Sequence, residues 1–131
     1  MKLQQINYNL STPTEIEIKD PVTNKSFENP AFLSVYSIES KQGKTVQLNI
    51  YRDIMAWKEA NKDIKPTEEL MKEITTKHLS TLIVGWKGIE DDEGNEVEYS
   101  PEKALELITE FELIFNAVNL GTAMMGNFLK K

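Results

Sequence analysis

The chain has 131 residues, 40% hydrophobic and 27% charged, which suits one soluble globular domain (residues 1–131) with a real core. It has no cysteine and one histidine, His78, which excludes disulfides, thiol catalysis, thiolate metal sites and any centre needing two histidines. The net charge of −6 is uneven: residues 1–65 carry nine Lys/Arg and eight Asp/Glu, residues 66–131 six and thirteen. With Arg52 the one arginine, this argues against a nucleic-acid interface and for a protein partner.

In chain order, residues 1–13 are polar and mixed, and either fray or place Ile6, Tyr8 and Leu10 on an edge strand by period-2 spacing. Met1 to Asn7 has no apolar h-region, and no apolar stretch reaches the length of a membrane span, so the chain is expected to be intracellular. Thr14 to Lys19 alternates as a strand. Asp20-Pro21-Val22-Thr23-Asn24-Lys25 is a turn, because Pro21 presets φ and Asn24 tolerates a left-handed conformation. Phe32 to Ile38 is apolar, aromatic and β-branched, and reads as the next strand.

Glu39 to Asn61 reads mainly as a helix, with Gly43 leaving its start open as far as Lys44 or Thr45. Leu48, Tyr51, Ile54 and Met55 share an apolar face that Ile50 and Trp57 extend. After the connector at Asn61 to Pro66, Thr67 caps a helix with Glu68 and Glu69 in its first turn. Leu70, Met71, Ile74, His78, Leu82 and Ile83 form its stripe.

Leu82 to Pro101 organises the chain. Gly85 and Gly88 loosen the backbone on either side of Trp86, which is expected to be mostly buried and to act as a structural anchor. Asp92-Glu93-Gly94-Asn95 is a turn and Glu96 to Tyr99 a short alternating strand, so a hairpin follows Trp86. Ser100 is the N-cap of a helix with Pro101 at its first position, reaching Ile108. Thr109 is a candidate cap for a further, strongly apolar segment.

None of the candidate chemistry is sustained. Aligning Gly94 with the sixth position of an EF-hand loop puts Ile89 first, which cannot ligate calcium, so the acidic run is a solvated hairpin tip. His78 has neither a second metal ligand nor a nucleophile at a diagnostic spacing, and reads as a helix-face or core histidine. Glu102, Glu106 and Glu110 line a solvated face, and Gly85-Trp86-Lys87-Gly88 is no phosphate loop. No cofactor, metal, membrane or catalytic role is expected. The C-terminal residues Leu120, Met124, Met125, Phe128 and Leu129, beside Gly121 and Gly126, either complete the core or form a partner-binding or self-association surface.

Leu82-Ile83-Val84-Gly85-Trp86-Lys87-Gly88-Ile89-Glu90-Asp91-Asp92-Glu93-Gly94, then Tyr99-Ser100-Pro101-Glu102 and a terminal Asn127-Phe128-Leu129, resembles the tail assembly chaperone family of long-tailed bacteriophages and prophages. The likeness spans about residues 14–129 and takes in the Pro21-Val22-Thr23 turn; it departs at Glu110 to Leu113, where relatives often carry Tyr-Pro-Trp. It implies a non-catalytic protein of the host cytoplasm that binds the tape-measure protein, and tail tube subunits, before the tube polymerises, and is absent from the finished virion. A tail component retained in the virion and a small acidic inhibitor of a host protein are the other readings. The expected fold is α+β: a small N-terminal antiparallel sheet, three or four helices, and a hairpin after Trp86.

Overall fold

The computed structural model describes Tyr8 and residues 10–129. Its elements run β1 (Thr14–Lys19), β2 (Ser26–Val35), α1 (Lys41–Ala60), α2 (Glu68–Leu79), a 3₁₀ turn (Ser80–Leu82), β3 (Ile83–Lys87), α3 (Pro101–Glu110), α4 (Glu112–Gly121) and a second 3₁₀ turn (Met125–Phe128). The strands make one antiparallel sheet in the order β1-β2-β3, and with four helices the fold is α+β.

The β1–β2 hairpin follows from local chemistry. Ile16 and Ile18 face the core while Glu15 and Glu17 alternate with them, and Ile16 stands opposite Leu33. Asp20 Oδ1 accepts from the Val22 and Thr23 backbone amides at 2.8 and 3.2 Å, and Asn24 takes φ 57°. Such local acceptance is why Asp and Asn favour turns. On the outer face, Lys87 of β3 pairs with Glu15 of β1 at 3.1 Å and lies over the Phe32 ring of β2, linking all three strands.

The third strand departs from the sequence reading. Ile83 does not continue the α2 stripe; α2 ends at Leu79, Leu82 lies in the 3₁₀ turn, and Ile83 to Lys87 pairs with β2, Trp86 opposite Leu33. A short apolar run suits a buried strand as well as a helix, and the open edge of β2 decides the matter. Gly85 is an ordinary strand residue; the positive φ values fall at Gly88 (81°) and Gly94 (83°). At Gly88 a Cβ would lie 2.3 Å from the Pro30 carbonyl oxygen, so the strand can leave the sheet there only as glycine.

Trp86 packs against the core without being fully enclosed, and it ties the hairpin to the sheet. Its Nε1–H donates to the Val97 carbonyl at 2.7 Å, and its ring meets Tyr99 edge-to-face at 5.0 Å and 83°. The hairpin is held by a single bridge between Glu90 and Glu96 and by the Val97 amide donating to Ile89, so Glu96 to Tyr99 is an extended segment rather than a strand.

The helix starts obey their caps. Thr67 Oγ1 accepts from the Leu70 amide at 3.1 Å, and Ser100 Oγ from Lys103 at 3.0 Å with Pro101 at N1. Helix α1 begins at Lys41 with Ser40 as its cap, earlier than the Gly43 signal suggested. Thr109 caps nothing: α3 runs on to Glu110, and Phe111 stands at the N-cap of α4 without a side-chain cap. The core gathers Leu33, Val35, Leu82, Ile83, Ile108 and Val118 between the sheet and the helices. Of the suggested edge strand, Tyr8 forms an isolated bridge with Leu129, while Ile6 lies outside the described residues.

Candidate functional site

The C-terminal segment is split by the fold. Phe128 is 1% exposed and belongs to the core, so it is not available to a partner as the surface reading required. Leu120, Met124 and Leu129 are exposed, Leu120 by 63%, and Met125 is half-buried with its sulfur 3.7 Å from Ser37 Oγ. Gly121 is buried at the end of α4, where a Cβ would stand 2.5 Å from Ile16 Cδ1, so it is packed in place rather than free to move. Hydrogen bonds to its backbone carbonyls hold the segment in place. The Ile38 amide donates to the Thr122 carbonyl, and Asn127 Nδ2 donates to the Gly121 carbonyl, both at 3.0 Å. The segment is thus a fixed ridge of exposed apolar side chains rooted by Phe128.

A second apolar surface lies on α1, where the sequence shows one apolar face and the fold divides it. On α1 the buried side is Gly43 and Val46, with Ile50 half-buried and packed on the core and Trp57 half-buried beside it. Leu48, Tyr51 and Met55 point the other way, exposed by 46%, 61% and 45%. Both sides of α1 carry apolar residues at helical spacing, so periodicity alone could not choose between them.

His78 joins two helices. Its Nε2 donates to Asp53 Oδ2 at 2.5 Å, across from α2 to α1. That hydrogen bond is the largest influence and, with the charges of His78 and Lys77, holds the Asp53 carboxyl below its usual value of 3.8 against the desolvation that raises it. Nothing in the sequence pointed to Asp53, because a partner 25 residues away leaves no local mark. Next to this pair a groove between α2 and α3 is lined by Leu70, Ile74 and Leu105 together with Glu69, Glu73 and Lys77.

At the hairpin tip, Asp91 Oδ1 accepts from the amides of Glu93 and Asn95, both at 2.9 Å, and the acidic side chains from Glu90 to Glu96 are exposed. Among the described residues no three His, Asp or Glu side chains are grouped to hold a metal. No described helix is long and apolar enough to cross a membrane. Glu102, Glu106 and Glu110 are exposed on α3, with Lys103 paired to Glu106 at 3.3 Å.

These features define an α+β protein whose distinctive surfaces are exposed apolar ridges on α1 and at the C-terminal turn. The family model of the YdaY prophage protein matches residues 38–128, from Ile38, two residues before the α1 cap Ser40, to the buried Phe128, and the chain belongs to that family. The match takes in β3 but leaves out the β1–β2 hairpin. No curated protein and no solved structure matches the chain.

Proposed function

We propose that this prophage protein is a non-catalytic tail assembly chaperone. It binds the tape-measure protein, and tail tube subunits, in the cytoplasm of the bacterial host before the tube polymerises, and it leaves before the virion is finished. The observation that carries the reading is the ridge of Leu120, Met124 and Leu129, exposed on a segment whose root, Phe128, is locked in the core. Methionine repacks against varied apolar shapes, and an exposed apolar ridge can engage one face of an amphipathic helix. Membership of a prophage family supports a role in phage biology.

The test is co-purification. The protein is expressed with tape-measure fragments, as wild type and with Leu120→Ser, Met124→Ser and Leu129→Ser combined. Because these side chains are exposed, the variant should keep its thermal midpoint to within a few degrees while losing the fragments. Fragments that never co-purify with the wild type would end the reading. Mass spectrometry of finished virions adds a second check, since a stoichiometric presence there would make the protein a tail component instead.

A further inference from the structure

The exposed face of α1 carries more than its three apolar side chains. Lys41, Lys44, Leu48, Tyr51, Met55 and Lys58 follow one another in alternating steps of three and four residues, so they form one seam along the helix. The seam is apolar in the middle and carries lysines toward both ends, and all six are exposed; the one acid on the same face, Glu59, is paired with Lys62 at 3.2 Å. Arg52 lies against its centre. None of these four bases has a carboxylate partner among the described residues, although Lys62, Lys72, Lys87 and Lys103 do. The chain's carboxylates are in surplus, yet the fold leaves these four bases unmatched, and Glu59 beside them is paired with Lys62 instead.

We infer that this face is a docking site for an acidic amphipathic helix of another protein, one with an apolar seam flanked by Asp and Glu. Charge complementarity selects the occupant. A second α1 fails in either direction: antiparallel pairing about Tyr51 sets Lys44 against Lys58 of the other copy, and parallel pairing sets each lysine against itself. A nucleic acid would meet a single arginine on a chain of net charge −6. A membrane surface calls for a wider apolar face than three half-exposed side chains. From Lys41 to Lys58 the seam is roughly 26 Å long at about 1.5 Å per residue, room for about five helical turns of a partner. The site is distinct from the C-terminal ridge, and the inference does not depend on the tail assembly reading.

The test is fluorescence anisotropy with the full chain and two labelled synthetic helical peptides of about three heptads, each with a leucine seam, one flanked by glutamates and one by lysines. The glutamate peptide should bind at least about tenfold more tightly than the lysine peptide, and added salt should weaken it. Lys44→Glu combined with Arg52→Glu should abolish that preference with an unchanged circular-dichroism spectrum. Lys25→Glu, on the remote β1–β2 turn, should leave it intact. Equal binding of the two peptides, binding of neither, or binding unaffected by the double reversal would overturn the inference. So would tighter binding to anionic vesicles or single-stranded DNA, or a dimer in light scattering that the double reversal dissolves.

Discussion

A Cβ on Gly43 would sit 2.2 Å from the Ile38 carbonyl oxygen and 2.4 Å from that of Ser37, both fixed backbone atoms. Replacing a helical glycine by alanine ordinarily gains about 1 kcal/mol. Here the clash should win, and Gly43→Ala should lower stability in urea by about 1–3 kcal/mol. In the sequence the same glycine looked like a weak helix start, because close approach to a distant backbone leaves no trace in composition. Asp53 is a second case. Its carboxyl is held below the ordinary value, so the bond to His78 contributes fully above about pH 4 and is lost as the pH falls through the lower native value. Urea midpoints measured from neutral to strongly acid pH should therefore drop on the acid side in wild type, and drop less in Asp53→Asn. Caps, by contrast, were legible. Ser100 and Thr67 act on amides three residues away, so the pattern and its physics lie in the same few letters.

Among the elements, β3 and the extended segment after it depend on Trp86. Trp86→Phe keeps a ring against Tyr99 but leaves the Val97 carbonyl without its donor, at a cost of about 1 kcal/mol. Trp86→Ala loses the ring contact as well and should cost about 3 kcal/mol, the lower part of the usual range because the indole is not fully enclosed. Denaturant unfolding of both variants measures the difference. Helix α1 shows what periodicity cannot decide. Its two apolar stripes have the same spacing, and only the position of α2 settles which is covered. Leu48→Gln should thus stay within about 0.5 kcal/mol of wild type, whereas Val46→Ala should lose about 2 kcal/mol. The strand at Ile83 to Lys87 was misread for a related reason. Its apolar run fits either element, and the deciding partner, β2, lies some fifty residues earlier.

For the molecule as a whole, the C-terminal turn is part of the core and not an appendage. Phe128→Ala should cost about 3–5 kcal/mol, seen as a lower thermal midpoint, while Leu120→Ser should leave the midpoint nearly unchanged. The α+β class was readable because each element carries its own pattern; which surfaces stay open was not, because that depends on how the elements meet. The strand order β1-β2-β3 also bears on how the protein is born. β2 ends at Val35 and β3 begins at Ile83, so the inner strand of the sheet has no partner on one edge until two helices have been synthesised. At ribosomal speeds of roughly 5–20 residues per second, that edge stays open for about 2–10 s. Closure of the sheet is then a late, non-local event, slower than the helices it encloses. Through those seconds the open edge of the nascent β1–β2 hairpin is a template for the wrong strand, which the native contacts cannot yet exclude.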